Sequence, residues 1–455
     1  MARDSVKDMT VGSPFKLVLS FTLPLLLGFL FQQLYSFVGT AIVGKYLDSA
    51  ALAAVGSTGS LNFLLLGFCM GICSGCAIPV AQAFGAKDET ELRRCVMHCV
   101  YLGAGISIVM AVGTSLLCRW MLVATNTPEE ILEDAIAYIL PIFMTIPVTV
   151  LYNMTSGIMR SLGDSKTPVY FVTLAAVLNV VLDLLFILKF NMGVAGAAYA
   201  TIISQLVSGL GCLFVLIRKF PILRLQPGDT AFHPALAKRL LGMGLPMGLQ
   251  YSITAVGCVT MQAAVNSLGT VAVAAMSAGG KLYSFFTCVF DALATTMSTF
   301  AGQNIGARKL DRVHEGLKAA SIIGVIYCVL ALAAVLLFGE PMICMFVSAA
   351  ETEVITLARD YMIICTACFV ALLFVNIVRL TIQGLGFARI AMLAGVMELV
   401  ARVGVAMLLV PHFGFYGACW GNPAAWIFAD LFLIPCYFYI TKKLRYRMYP
   451  AGDNQ

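Results

Sequence analysis

The chain has 455 residues, 60% of them apolar and only 11% charged, whereas an ordinary soluble domain carries about 25% charged residues. That balance excludes most soluble folds, and it excludes disorder, which needs high charge and low hydrophobicity. The mean hydropathy of +0.92 is that of a chain crossing a membrane many times, and the formal net charge of +6 matters for where it is placed.

In chain order, residues 17–44, 49–86, 135–159 and 190–217 contain no Asp, Glu, Lys or Arg. Residues 95–118 are interrupted only by His98 and residues 167–188 only by Asp183, which completes six spans in the first half. The second half supplies residues 240–267, 270–303 with two charges inside, 319–338, 361–383, 390–410 and 414–441. One crossing takes about 20 apolar residues, so twelve consume about 240 to 280 and leave no room for an independent soluble domain. Backbone polar groups in lipid must pair within their own segment or a closed barrel, and these runs are far longer than barrel strands. The expected fold is an all-α membrane protein of twelve transmembrane helices, with residues 49–86 read as one helix extending beyond the bilayer.

With twelve spans placed, the basic connections fall on one side: the N-terminal tail, 87–94, 160–166, 218–239, 308–318, Arg389 and 442–447. The positive-inside rule makes that face cytoplasmic, so both termini are expected inside, and a plasma membrane is the expected location. The first twelve residues hold Arg3, Asp4, Lys7 and Asp8 and no cleavage site follows the first span, so no secretory signal is expected. The charge divides into about +12 on the cytoplasmic face, −5 outside and −1 within the spans. It orients the chain and implies no nucleic-acid partner; the expected partners are membrane lipid and a small organic substrate, with the chain a monomer.

The chain repeats itself. Ala81-Gln-Ala-Phe-Gly-Ala-Lys87 recurs as Gly302-Gln-Asn-Ile-Gly-Ala-Arg308, a shift of 221 residues, and Ala51-Leu-Ala-Ala54 recurs at the same shift as Ala272-Val-Ala-Ala275. Gly193-Val-Ala-Gly-Ala returns as Gly414-Phe-Tyr-Gly-Ala, and Pro24 matches Pro246 within one residue. Two parallel six-helix halves follow, related by a pseudo-twofold axis along the membrane normal: residues 1–217, a cytoplasmic linker 218–239, and 240–455 with its tail. Such a pair is expected to enclose a central cavity whose exposure alternates as the halves rock. Pro24 and Pro246 each remove a helical hydrogen bond and are expected to kink the opening helix of a half. Gly67, Gly71 and Gly75 form a ridge of small residues that admits another helix closely.

These motifs resemble the MATE (multidrug and toxic compound extrusion) transporters, of the prokaryotic DinF-like branch within the MOP flippase superfamily. The resemblance is carried by Gln32-Gln-Leu-Tyr35, Val43-Gly44, Gln82 with Gly85-Ala86, Gly157 with Arg160, Gly163-Asp164, Pro168, the stretch Asn179 to Asp183, Gln303-Asn-Ile-Gly-Ala307, and Glu398 with Arg402. It implies export of organic substrates driven by inward flow of Na⁺ or H⁺, with no other cofactor.

An ionised side chain in the hydrocarbon region costs about 2.5 to 3.5 kcal/mol on insertion scales, so an ionisable residue inside a span is a functional candidate by default. Asp183 is the only one in the first half, and Asn179 lies one turn earlier on the same face. The resemblance implies a cation-coupling site of Asp183 and Asn179 with Asn153, Tyr138 and Thr201. These oxygens either ligate Na⁺ or hold a buried carboxyl that exchanges H⁺. The family usually carries an acid in the first helix where this chain has Gly39, which moves weight towards the second half. There Lys281, Asp291, Arg379, Glu398, Arg402 and Asp430 form a charged set; Glu398 and Arg402 have the spacing and order of an ion pair along one helix. Asp291, at mid-depth, is placed to meet a cationic substrate or a proton. The candidate substrate cavity comprises Gln33, Tyr35, Tyr251, Met261, Gln262 and Asn266, with Phe31, Phe285 and Phe286 adding aromatic faces that attract cations.

Cys73 and Cys76, and Cys365 and Cys368, have CxxC spacing inside helical runs without His ligands, so packing is expected rather than zinc. His98, His233, His314 and His412 show no ligand spacing and read as surface or interface residues. No nucleotide loop and no nucleophile with its base is found, so the chain is not read as an enzyme. The expected function is cation-coupled antiport of amphipathic, often cationic compounds; one charge moving down 100 mV releases about 2.3 kcal/mol, enough for roughly a fifty-fold gradient. The rivals are a lipid-linked precursor flippase, which wants a strongly basic cavity, and a passive channel.

Overall fold

The computed structural model describes residues 7–47 and 49–448, and every regular element among them is helical. Long uncharged runs leave the backbone no partner but itself, which in lipid means helix. The first half contains α1 (Pro14–Tyr46), α2 (Ser49–Ser57), α3 (Gly59–Ala86), α4 (Glu89–Ala124), α5 (Glu129–Met144), α6 (Ile146–Ser161), α7 (Lys166–Leu184) and α8 (Gly193–Lys219). The second contains α9 (Pro234–Asn266), α10 (Thr270–Gly306), α11 (Leu310–Ile343), α12 (Thr352–Ala367), α13 (Phe369–Gly384), α14 (Ala388–Gly404), α15 (Val410–Cys419) and α16 (Gly421–Met448).

Among the described residues nine helices are long and apolar enough to cross a membrane, with residues 50–86 counted as one, and two bent pairs bring the number to eleven. The twelfth expected crossing, α9, has 33 residues, about 50 Å at 1.5 Å per residue, but a less apolar composition. The expected single helix over residues 49–86 is interrupted at Thr58, where Gly56-Ser-Thr-Gly59 gathers weak helix formers and the Thr58 hydroxyl turns back to the Val55 carbonyl.

The two bent pairs are repeat-equivalent. Helices α5 and α6 meet at 49° and α12 and α13 at 51°. Beside each bend a threonine hydroxyl is shared by two carbonyls of the preceding turn: Thr145 with Pro141 and Ile142, Thr366 with Met362 and Ile363. Such back-bonding loosens the helical ladder. Short π-helical turns follow α7 at Leu185–Lys189 and α14 at Val405–Leu409. Left-handed backbone recurs at Lys87 and Arg308 and at Gly193 and Gly414, the ends of motifs that repeat at a shift of 221.

By packing, the chain divides into two compact units. Unit 1 comprises residues 1–8 and 27–248, and unit 2 residues 9–26 and 249–455. The opening segments of α1 and α9 are thus exchanged, and each helix changes unit just after its internal Pro24 or Pro246.

In unit 1 the reason for the exchange is a close helix crossing. A Cβ at Gly71 would lie 2.6 Å from the Met247 carbonyl oxygen, and one at Gly75 would lie 2.6 Å from the Gly244 Cα. Gly244 and Gly248 face back onto Ile72 and Phe68, so the ridge meets a second ridge. The same unit holds the linker against α4. Buried Arg93 donates to Asp229 at 2.6 Å, Tyr101 donates to the Thr230 carbonyl at 2.9 Å, and Arg239 pairs with Glu91. His98, read as a surface or interface residue, lies at this interface and is fully buried: its Nε2 accepts the His233 backbone N–H at 2.9 Å and its ring stacks on Phe232.

Unit 2 holds the start of the chain by polar anchors. Gln303 accepts the Met9 N–H at 2.9 Å, Asn304 donates to the Met9 carbonyl at 3.1 Å, and Lys309 donates to the Thr10 carbonyl at 2.9 Å. Thr22 meets Thr296 at 2.9 Å. The repeated Gln303-Asn304 motif therefore fastens chain to chain rather than lining a site.

Candidate functional site

Unit 1 presents a carboxylate without a partner. Asp183, near the end of α7, is 3% exposed and forms no hydrogen bond or ion pair with any described residue. Its expected neighbours are partly assembled. Asn179, one turn earlier, is 4% exposed and donates to Thr201 Oγ1 on α8 at 3.3 Å; the Thr201 hydroxyl in turn donates to the Ala197 carbonyl at 3.0 Å. Tyr138 on α5 lies within electrostatic range of both Asp183 and Tyr35. Asn153 on α6 spends its amide on the Thr149 carbonyl at 2.8 Å and is not bonded to the other four. Gly39 on α1 faces the carboxylate directly, its Cβ position 3.5 Å from Asp183 Oδ2. A buried carboxylate with no donor is costly unless it holds a proton or a cation, and amide and hydroxyl oxygens of the kind gathered here suit either.

In unit 2 the expected charged set resolves into parts. Glu398 on α14 is gripped from two sides, by Arg379 of α13 and by Arg402 one turn along its own helix at 3.3 Å; all three are buried. Asp430 on α16 lies within electrostatic range of Arg379, and its Oδ1 is buried with no hydrogen-bond partner. Lys281 and Asp291 are exposed on α10, and Asp291 makes no hydrogen bond or ion pair with any described residue. Beside the cluster, buried Gln383 donates to Gln250 at 2.8 Å. Sequence reasoning passed over this pair because neutral amides carry no charge signal in an apolar run.

The candidate cavity residues divide likewise. Gln262 donates to Asn266 at 2.8 Å along the exposed face of α9. Tyr251 lies near Arg379. Met261 instead packs beside Val265 and against Gly421, where a Cβ would meet its methyl at 2.5 Å. Phe286 lies tilted beside Phe369, a ring that also meets Phe290 and Trp426. Gln33 and Tyr35 lie on α1, both partly buried, while Phe31 is exposed. No group of His, Cys, Asp and Glu among the described residues has metal-binding geometry, and the CxxC cysteines are free thiols, Cys73, Cys76 and Cys365 inside helices and Cys368 at the bend between α12 and α13.

The MatE family model matches the chain twice, over residues 24–185 and 246–408, the same doubling that the repeats and bent helices display. The chain belongs to the MatE family. It is an integral, multi-pass membrane protein of a transporter family. It is 32% identical to the probable multidrug resistance protein YpnP of Bacillus subtilis (strain 168), over 78% of this chain and 79% of that protein. It is 30% identical to the probable multidrug resistance protein YoeA of the same organism, over 73% of each. A crystal structure of MATE in complex with MaL6 superposes with a TM-score of 0.91 at 21% identity, covering 97% of this chain and 99% of that one. That MatE neighbour shows the all-helical fold of two repeated halves.

Proposed function

We propose that the protein is a cation-coupled antiporter of the bacterial inner membrane that exports amphipathic, often cationic organic compounds by alternating access, with both termini in the cytoplasm. The observation that carries this reading is the Asp183 carboxylate, buried in a membrane span with no hydrogen-bond or ion-pair partner among the described residues. A side chain in that state has a use for an exchangeable cation, and Asn179, Thr201 and Tyr138 offer oxygens around it. The multidrug names of the Bacillus relatives support the substrate class.

Charge argues for cations over anions. Arg379 and Arg402 both serve Glu398, and Lys281 among the basic groups within these spans is matched by Asp291 and Asp430 among the acidic ones, so the spans carry no surplus of basic groups for a pyrophosphate. The test is efflux of a fluorescent organic cation from inverted vesicles under separate H⁺ and Na⁺ gradients. Wild type is expected to respond to at least one, and Asp183→Asn to lose that response. Flux independent of both gradients would instead mean a passive channel.

A further inference from the structure

Helix α10 packs against α11, α12 and α13 and is buried on most of its circumference. One line of residues breaks the pattern. Lys281, Ser284, Cys288, Asp291, Thr295 and Ser298 follow one another at alternating intervals of three and four, which places them on one face. All six are polar or thiol-bearing; Cys288 is buried and its thiol donates to the Ser284 carbonyl at 3.3 Å. Between residues 291 and 300, Asp291 is exposed and Thr295 and Ser298 partly so, while the other seven are buried.

The part of the seam from Asp291 to Ser298 is also chemically unspent. Serine and threonine in apolar helices commonly bond back to their own carbonyls, as Ser284 and Thr296 do here at 3.0 and 2.8 Å. The Thr295 and Ser298 hydroxyls and the Asp291 carboxylate make no hydrogen bond or ion pair with any described residue. A carboxylate and bare hydroxyls turned to hydrocarbon are strongly disfavoured, so this stretch is ill suited to face lipid.

We propose that the seam is the binding strip for the organic cation that the protein carries, a proposal that rests on the antiport reading above. Asp291 supplies the counter-charge, and Thr295 and Ser298 supply hydroxyls roughly 6 and 10 Å further along the axis at 1.5 Å per residue. Asp291 and Thr295 are one turn apart, but Ser298, about 10 Å from Asp291 along the axis, cannot join them around one Na⁺; the three together match an extended molecule.

The experiment uses the purified full chain in lipid nanodiscs with ethidium as the probe and fluorescence anisotropy as the readout. Asp291→Asn is expected to weaken ethidium binding by about tenfold or more, as loss of a desolvated charge partner does, while Asp291→Glu stays close to wild type. Anionic fluorescein is expected not to bind. Equal ethidium affinity in wild type and Asp291→Asn overturns the proposal, as does failure of the wild type to bind. A second measurement does not depend on the folding of Asp291→Asn. Ser298→Cys is labelled with a cationic, water-soluble thiol reagent, and modification of that peptide is read by mass spectrometry. Protection by ethidium is expected, and labelling unaffected by saturating ethidium overturns the strip. If binding depends on Asp291 but neither gradient drives efflux, the antiport reading fails and the strip stands. If gradients drive efflux and Asp291→Asn binds normally, the strip alone fails.

Discussion

Gly39 of α1 stands against Asp183 of α7, with 3.5 Å between its Cβ position and the carboxylate Oδ2. A methyl group at that distance is in ordinary van der Waals contact, but anything longer must cross the carboxylate. Gly39→Ala is expected to keep efflux within about twofold of wild type, whereas Gly39→Leu is expected to lose most of it through a buried clash. Transport by the vesicle assay, normalised to folded protein, checks the pair; equal loss in both variants would place the cause in the helix rather than at Asp183.

Glu398 holds two buried guanidinium groups at once. Glu398→Gln removes the charge and leaves Arg379 and Arg402 facing each other, which costs roughly 3–5 kcal/mol when a buried pair loses one partner. Arg402→Met leaves Glu398 paired with Arg379 and is expected to cost clearly less. Thermal unfolding of the two variants in detergent gives the order.

The crossing of α3 and α9 has no room for side chains on its glycine ridge. Gly71→Ala and Gly75→Ala each place a methyl 2.6 Å from backbone atoms of α9, and forced repacking of this kind costs about 1–3 kcal/mol. Gly56→Ala, with nothing within 4 Å of its Cβ position, is expected to leave the melting temperature unchanged or slightly raised. The comparison of melting curves separates a packing effect from a change in helix propensity.

The docked linker is expected to release in acid. The Gln226 backbone N–H and then the Arg93 side chain hold the Asp229 carboxyl below its ordinary value. A carboxylate with a depressed folded-state pKa contributes stability that is present above its unfolded value, about 3.9, and is lost as pH falls through the lowered one. Limited proteolysis within residues 224–233 is therefore expected to stay slow at pH 7 and 5 and to accelerate only below about pH 4. Asp229→Asn is expected to be cleaved rapidly throughout.

Most of the architecture is written in the order of residues. Uncharged runs force helices in lipid, the bias of Lys and Arg orients them, and motifs returning after 221 residues announce two halves; all three are local or periodic signals. The Glu398–Arg402 pair was legible for the same reason, being one helical turn apart. Sequence alone also marked Asp183, because an acid is conspicuous in an apolar run. Tertiary structure decided which polar groups find partners. Asn179 meets Thr201 across 22 residues of chain and Arg379 meets Glu398 across 19, while Asp183 and Asp291 meet none among the described residues. It also decided that the starts of α1 and α9 pack with the opposite repeat, since a glycine ridge specifies a close approach but not which helix makes it. Local periodicity sets the faces of a helix, and only packing sets what each face meets.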